Sequence, residues 1–508
     1  MIKRALISVW DKTGVVELAN FLMRNNVEIY STGGTKKILL DADIMVNSVS
    51  ELTNTGSLMN GRVKTLHPKV FGGILADRSK ESHIDDLESI DGKLFDLVVV
   101  NFYPFVKEAV GKKLDLKDAI EYIDIGGPSM IRAAAKNFDN IVSLSNPNLY
   151  DEFIKSYSRH GDIPIELRKY FATEVFKVTS IYENEIYNFF NQSNSKISNV
   201  INISLNKIQD LRYGENPHQK SGFYLGNNRE LDWEQHQGKE LSYNNFSDME
   251  SAIEIATTFD KPSCAIIKHA NPCGFGIGSN LLNAFERAVT TDPVSYFGGI
   301  VGFNGTVDKV LAGKLVVPFL ECIIAPSFSD EALKVFLKKK NLRIISINKK
   351  FSSDSINIKS VFGGYLVQER DFFQNELSSF DIVTDRKPTE SDYNAFQIGW
   401  KLVKNVKSNG IVIANDKQVL GVGAGQMSRI DSLKIAIRKL NEAGLNFKSS
   451  ILASDAFFPF PDCIELAANN GISAIIQPGG SIKDKEIIAE ANRMGISMVF
   501  TGVRHFYH

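Results

Sequence analysis

The sequence predicts an α/β fold, and two observations carry that reading. Apolar runs of buried-strand type, such as Ala5–Val9, Leu97–Val100, Cys264–Ile267 and Ile411–Ala414, alternate with stretches of helical apolar spacing, the pattern of sheets with helices between their strands. The runs also end repeatedly in loops rich in Gly, Ser, Thr, Asn and Lys, and open α/β sheets place ligands beyond the carboxyl ends of their strands. At 508 residues the chain exceeds one core, and the domain-size prior gives roughly three units.

Composition narrows the class. Hydrophobic residues make up 43% and charged residues 23%, as in ordinary globular proteins. The net charge of -1 leaves no bulk electrostatic footprint for nucleic acid or an anionic membrane. Small anionic substrates need only a local cluster and stay open. The four cysteines, Cys264, Cys273, Cys322 and Cys463, form no CxxC pair, which argues against structural zinc or a disulfide framework and fits a reducing compartment. The N-terminal apolar run stops at Asp11-Lys12, too short for a signal peptide. No run approaches membrane-spanning length. A cytoplasmic protein is expected.

The first domain is expected over 1–195. Ala5–Val9 reads as a strand ending in the polar turn Trp10–Gly14, with a helix over Val15–Met23 and a second strand at Val27–Tyr30. Ser31-Thr32-Gly33-Gly34-Thr35 then leads to a helix from Lys36. Hydroxyls, backbone N–H groups and a helix dipole converge there on an anion site; a plain strand-to-helix turn is the bland alternative. In Gly61–Pro68, Arg62 and Lys64 alternate as if on one face of an extended segment, with Thr65 and His67 between and beyond them. Leu97–Val100 reads as a parallel strand ending in Asn101-Phe102-Tyr103. Asp124-Ile125-Gly126-Gly127 precedes a helix with Lys136 in its last turn, and Ile141–Leu144 is another strand. Polar groups from five loops point to one shared pocket for a phosphate and a base. Residues 150–190 read as a helical packing appendage, and Asn191–Asn199 as the linker.

The second region, 196–508, divides near 360. Arg212 and Tyr213 suit a phosphate fork and a stacked ring, or merely a polar loop. Ser247 or Asp248 could cap a helix. The strand Cys264–Ile267 delivers Lys268 and His269 together. A cation beside an imidazole favours the neutral, proton-accepting ring, and the same cation can hold an oxyanion; the bland reading is a solvated pair before a turn. Gly274, Gly276 and Gly278, and again Gly421, Gly423 and Gly425, suit tight turns or backbone against a ligand. Tyr296–Val301 reads as a strand with a glycine break, and Glu321 brings a carboxylate to another strand. Phe457, Phe458 and Phe460 crowd one turn, as a wall for a flat ligand or as a core wedge. The aromatic terminus Arg504–His508 reads as docked. The strand-and-glycine recurrence at 264–278 and 411–425 hints at duplicated halves.

Eleven ordered motifs then carry a resemblance over the whole chain: STGGT, GRVKTLHP, NFYPF, IDIGG, RAAAKN, LRYGENPHQ, KHANPCG, GAGQMSR, SDAFFPF, QPGGS and RHFYH. Together they resemble the bifunctional purine biosynthesis family that joins phosphoribosylaminoimidazolecarboxamide (AICAR) formyltransferase to IMP cyclohydrolase. The resemblance implies a parallel-sheet N-terminal domain similar to methylglyoxal synthase, then two cytidine-deaminase-like α/β halves without their zinc. It implies formyl transfer from 10-formyltetrahydrofolate to the AICAR 5-amine, followed by dehydrative closure to IMP.

By motif, the resemblance makes His269 the formyl-transfer base, Lys268 its charge-stabilising partner and Asn409 an amide at the same centre. Arg212, Tyr213, Gly298, Glu321, Arg429, Asp462 and Arg504 match nucleotide contacts, with Glu321 where some members have Asp; Ile430, Phe457, Ser481 and Ile482 match the folate side. For ring closure Lys64, Tyr103, Asp124 and Lys136 match, with Lys136 as general acid/base and Lys64 polarising the formyl oxygen or holding the nucleotide. Asp11, Lys12, Thr13, Ser31, Gly33, Gly34, Thr35, Arg62, Thr65, Asn101 and Ile125 would hold nucleotide. A homodimer is implied, with no catalytic metal and room for a structural K+. The competing readings are a monofunctional formyltransferase with an inactive nucleotide-binding N-terminal domain, and a non-enzymatic nucleotide- or RNA-binding protein.

Overall fold

The structure is a computed structural model. It describes the chain except residues 57, 192–196, 227, 228, 348–355 and 373–379 and the side chain of residue 60. The expected linker at 191–199 therefore falls largely outside the described residues. Two compact units are present, Met1–Ser204 and Leu205–His508.

The first unit is built on five parallel strands, β1 (Arg4–Ser8), β2 (Glu28–Ser31), β3 (Asn47–Ser48), β4 (Leu97–Val100) and β5 (Val142–Leu144), in the order β3-β2-β1-β4-β5. β4 is buried at all four positions, as a strand covered on both faces must be. Helices α1 (Val15–Arg24), α2 (Gly33–Asp41), α3 (Pro68–Leu75), α4 (Gly126–Lys136), α5 (Tyr150–His160) and α6 (Ile165–Phe190) supply the cover. α2 begins at Gly33, earlier than the sequence predicts, so the two glycines form the helix's first turn. Arg62 and Lys64 lie on no extended strand: Leu58 and Val63 bridge across a short 3-10 turn, bending the chain back on itself.

The second unit repeats one plan twice. Its first half runs β6 (Trp233–Gln237), α7 (Tyr243–Thr257), β7 (Ser263–Lys268), β8 (Asn271–Ile277), α8 (Leu281–Thr291), β9 (Ile300–Phe303), α9 (Lys309–Leu315), β10 (Cys322–Ala325), α10 (Asp330–Phe336) and β11 (Arg343–Ile347). Its second half runs β12 (Asp381–Ile382), α11 (Glu390–Val403), β13 (Ile411–Ala414), β14 (Val419–Gly423), α12 (Arg429–Glu442), β15 (Ile451–Ser454), α13 (Asp462–Asn469), β16 (Ala474–Gln477), α14 (Asp484–Arg493) and β17 (Ser497–Phe500). The sheets are ordered β8-β7-β9-β10-β11-β6 and β14-β13-β15-β16-β17-β12. In each, the last three long strands are parallel, while the inner strand of the hairpin and the far edge run against them. The duplication hinted at by the glycine recurrence is present in topology. Residue 360 falls in a separate hairpin, Ile356–Val361 with Gly364–Glu369, and the second sheet takes its first strand at Asp381.

Alternate residues of β7 explain the layers. Ala265 and Ile267 face a core that includes α7, α11 and Val412 and Ile451 of the second sheet, whereas Cys264 and Ile266 face a separate core with α8 and β9. The glycines are corrected here. Gly274, Gly276 and Gly278 do not bare backbone to a ligand: an added Cβ would lie 2.2 Å from Ala288 O, 2.6 Å from Ala284 O and 2.6 Å from Ala284 N. In the second half, added Cβ atoms on Gly421 and Gly423 would lie 2.3 Å from Ala436 O and 1.9 Å from Ser432 O. These glycines let a helix lie flat on its strand. α7 is capped by Ser242 with Asn245, not by Ser247 or Asp248, and β9 begins only at Ile300, after a turn. Among the described residues no helix is long and apolar enough to cross a membrane.

Candidate active sites

In the first unit, strand order reverses between β1 and β4, so the loops after these strands diverge and leave a crevice. Asn101 stitches its walls: Oδ1 accepts from Trp10 N at 2.6 Å and Asp11 N at 2.8 Å, and the amide donates to Asp11 O at 3.0 Å. Asp11 accepts the Thr13 backbone N–H at 2.9 Å and hydroxyl at 2.7 Å, and these bonds hold its carboxyl below the ordinary range. Lys12 donates to Val9 O and Trp10 O; burial lowers its pKa against the opposing charge of Asp11. Thr32 offers no side-chain cap to α2, so the first amides of that helix face outward as anion donors. Lys64 stands over them: a Cβ on Gly33 would be 4.0 Å from its Nζ, and Gly34 has open space.

Two expected contacts are corrected. Ser31 donates to Ile7 O at 2.6 Å, and Thr35 donates to Val9 O at 2.9 Å while accepting Val9 N at 3.2 Å. Both hydroxyls are buried and brace the strand ends instead of facing a ligand. On the other rim Asp124 accepts Gly127 N at 2.9 Å; burial raises its pKa, against the downward pull of the Gly127 and Gly126 amides. Thr65 Oγ1 would lie 3.0 Å from a Cβ on Gly126, which joins it to the same helix start. Ile125 is exposed, Arg62 pairs with Glu121, and Tyr103 is half-exposed with its ring centroid 6.4 Å from that of Trp10. Lys136 is not brought to this group within one chain. It ends the eleven-residue α4 that starts beside Asp124, and a rise of ~1.5 Å per residue puts the two ends ~15 Å apart.

Sequence reasoning missed Tyr182. This residue of α6 accepts the Asp124 N–H at 2.7 Å, its ring lies 5.1 Å from that of Phe102, and burial pushes its pKa up to about 12. The helical appendage therefore positions the Asp124 turn.

In the second unit, β7 and β8 are joined by His269 and Ala270, both left-handed at φ 54° and 58°. Lys268 Nζ donates to Phe297 O at 2.7 Å, beside Gly298, whose N–H donates to Phe319 O at 2.8 Å. Glu321 N donates to Gly299 O at 3.1 Å, so Lys268, Gly298 and Glu321 form one neighbourhood. Because β7 runs against β9, these groups sit before the parallel strands, not beyond their carboxyl ends as expected. Glu321 also pairs with buried Arg343 at 2.7 Å, a partner that sequence reasoning missed. Arg212 is exposed over the Tyr213 ring at 5.3 Å, and Tyr243 N donates to Tyr213 O at 3.2 Å, docking that loop on the start of α7.

The second half holds a cavity of about 600 Å³ lined by Asn409, Arg429, Ile430, Phe457, Asp462 and Arg504, among others. Behind the lining residue Arg429 lies Asp455, fully buried, which accepts Ser408 Oγ at 2.6 Å, Gly410 N at 2.8 Å and Arg429 Nη1 at 2.7 Å. Arg429 also donates to Phe457 O at 3.2 Å, and His505 N to Asp455 O at 3.0 Å, docking the C-terminus. Of the crowded phenylalanines, Phe458 is core, while Phe457 and Phe460 line the cavity. Ser481 and Ile482 do not line it, and Ile482 is fully exposed. Asn271, next in chain to the His269–Ala270 turn, accepts Lys407 N at 3.0 Å, two residues before Asn409, and so links the two halves of the site. Among the described residues no group of three His, Cys, Asp or Glu side chains comes together in a metal-binding arrangement.

A family model described as "AICARFT/IMPCHase bienzyme" matches residues 134–439, and one described as "MGS-like domain" matches 14–129. The chain is 48% identical to the "Bifunctional purine biosynthesis protein PurH" of Bacillus cytotoxicus, over 100% of both chains. The proteins of that name from Bacillus cereus and Bacillus mycoides are 48% and 47% identical, again over 100% of each chain. This chain belongs to the AICARFT/IMPCHase bienzyme family. As a member of it, the protein is both an AICAR formyltransferase and an IMP cyclohydrolase, and the monofunctional alternative is not favoured. The MGS-like match falls on the parallel sheet of the bienzyme's first unit.

Proposed function

We propose that each unit of this bienzyme carries one of the last two steps of IMP synthesis. In the second unit, the AICAR 5-amine attacks the formyl carbon of 10-formyltetrahydrofolate. That amine is a weak nucleophile, conjugated with the imidazole and carboxamide, so loss of its proton and support of the oxyanion limit the step. His269 takes the proton, and Lys268 with Asn409 holds the oxyanion. The intermediate then collapses, and tetrahydrofolate leaves as its N10 gains a proton. The observation that carries this reading is the Asn271–Lys407 bond, which ties the His269 turn to the Asn409 loop. Arg429, Asp462 and Arg504 are assigned to the nucleotide, Ile430 and Phe457 to the folate side, with Arg212, Tyr213, Gly298 and Glu321 completing the nucleotide's surroundings.

In the first unit, the uncapped start of α2 with Lys64, together with the Asp11–Thr13 and Asn101 loops, receives the phosphate end of formyl-AICAR. The carboxamide nitrogen attacks the formyl carbon to give a carbinolamine, which loses water to IMP. Asp124 orients the carboxamide, Tyr103 relays a proton, and Lys64 polarises the formyl oxygen. Lys136 can act as acid or base here only from a second copy of the chain. The resemblance and the exposed apolar side chains Phe362, Met427 and Ile482 support a homodimer, and the two substrates support a cytoplasmic enzyme with no resident catalytic metal; a structural K+ would need only backbone and hydroxyl oxygens.

A coupled assay with AICAR and 10-formyltetrahydrofolate tests the reading. His269→Ala is expected to lose ~10²–10⁴-fold in formyl transfer while still closing supplied formyl-AICAR, and Lys64→Ala the converse. Formyl transfer near the wild-type rate in His269→Ala removes the base assignment. Loss of ring closure in Lys136→Ala supports its acid/base role, and retained closure removes it.

A further inference from the structure

The turn that presents His269 is built from residues that disfavour it. A two-residue hairpin connection with both residues left-handed is the province of Asn-Gly and Asp-Gly, because a Cβ crowds the backbone there. Here His269 and Ala270 fill both places at φ 54° and 58°. Such a conformation persists only where the surroundings over-determine it.

Asp248 supplies that determination from a different element. It lies in the second turn of α7, is partly buried, and accepts the Ala270 N–H on Oδ1 at 2.6 Å. The second amide of the strained connection is thus held by one side chain from another element. Asn271 adds a second tie, donating to His269 O at 3.1 Å and accepting Lys407 N at 3.0 Å. Asp248 does not cap α7, since Ser242 does so, and among the described residues its hydrogen bond goes to the turn and not to a group assigned to nucleotide or folate.

We propose that Asp248 is a positioning residue for formyl transfer: by accepting the Ala270 amide of the left-handed His269–Ala270 turn, it holds the imidazole where the AICAR amine must give up its proton. This rests on His269 being the base, and the test separates the two claims. Asp248→Ala, Asp248→Asn, Ala270→Gly, the double variant Asp248→Ala with Ala270→Gly, and His269→Ala are compared in the full-length chain. Formyl transfer is followed at saturating substrates, and ring closure of supplied formyl-AICAR serves as the internal control.

Asp248→Ala is expected to lower kcat roughly 10- to 100-fold, the scale of an ångström-sized misplacement, with KM for AICAR little changed. Asp248→Asn, which keeps an oxygen acceptor, should recover part of that loss. Glycine at 270 accepts the left-handed conformation unaided, so the double variant should regain most of the kcat lost in Asp248→Ala, measured against Ala270→Gly alone. A helix-packing role for Asp248 would show no such rescue. Full kcat in Asp248→Ala, or a loss that Ala270→Gly does not relieve, overturns the proposal. Wild-type formyl transfer in His269→Ala would instead overturn the base assignment beneath it.

Discussion

The two halves of the second unit share one strand order but place their chemistry at opposite ends of it. In the first half, Lys268, Gly298 and Glu321 lie where the parallel strands begin; in the second, Asp455, Phe457 and Arg504 lie where they end. The hairpins explain the inversion. The β7–β8 tip approaches the start of β13 through Asn271 and Lys407, while the β13–β14 tip approaches the end of β8 through Ile277 N and Lys417 O at 2.8 Å. These are equivalent junctions made twice. At the second the tip is Asn415–Gln418, a relaxed turn in which Asn415 Oδ1 accepts Lys417 N and Gln418 N at 2.9 Å each, the usual Asx device. At the first it is the left-handed His269–Ala270 pair held from outside by Asp248. One junction is therefore a relaxed turn held by its own side chain, and the other a left-handed turn held from a different element.

The largest effect that tests this contrast is at Asp455. Removing a buried partner from an ion pair leaves a charge without compensation, and Asp455→Ala should cost ~3–5 kcal/mol in the second unit, read by chemical denaturation. Glu321→Ala, in the other half, should cost less. Glu321 is 39% exposed, and Arg343 retains two bonds to Glu240 O at 3.1 and 2.9 Å. Equal losses would mean that the Asp455 cluster is no more of a hub than its counterpart.

What the sequence could and could not reveal follows the same division. Strands were legible because a strand covered on both faces must be apolar throughout: Leu97–Val100, Cys264–Ile267 and Ile411–Ala414 all lie within strands. Candidate groups that stand alone on a loop, such as Lys64 and His269, were legible as motifs. Groups that act through a bond to a distant residue were not. Asp248, Arg343, Asp455 and Tyr182 each complete a pair across 22, 22, 26 and 58 residues of chain. Arg343 left one local trace, a charged residue opening the otherwise apolar and serine-bearing run of β11. The glycines misled because a close helix and a close ligand make the same demand on a missing Cβ.

That ambiguity sets the next test. Gly274→Ala and Gly423→Ala should each destabilise by ~1–3 kcal/mol, the usual cost of overpacking, since α8 and α12 leave no room. Losses of similar size would confirm that the two halves use their strand glycines alike. A Gly274→Ala variant of unchanged stability with weakened AICAR binding would restore the ligand reading for that half.

A smaller effect concerns the cost of the acting junction. Burial raises the pKa of Asp248, outweighing the Ala270 amide and the charge of His269. A carboxyl whose folded pKa is raised binds its proton more tightly in the native state. Its stabilising contribution is complete below the unfolded value, near 3.9, and is lost as pH rises through the folded value. At neutral pH the ionised group is a net cost, so Asp248→Asn should be at least as stable as wild type at pH 7. Its advantage should shrink as the medium is acidified into the carboxylate range. A variant less stable at pH 7 than at pH 4, relative to wild type, reverses the sign of the argument.

The smallest expected effect is at Cys273, four residues beyond His269 on β8. A thiol so close to the acting turn invites a nucleophilic role, yet burial pushes its pKa up to about 12, and its Sγ rests 3.5 Å from Ile266 O, inside the hairpin. Only thiolate attacks a carbonyl or an alkylating agent, so at pH 8 the folded enzyme should leave Cys273 unlabelled by iodoacetamide. Cys273→Ser should keep formyl transfer within about 2-fold, as expected for a side chain whose role is packing. Rapid labelling of Cys273 with parallel loss of formyl transfer would give the hairpin a second chemical group. The junction would then be defined by what β8 carries as well as by the strained turn before it.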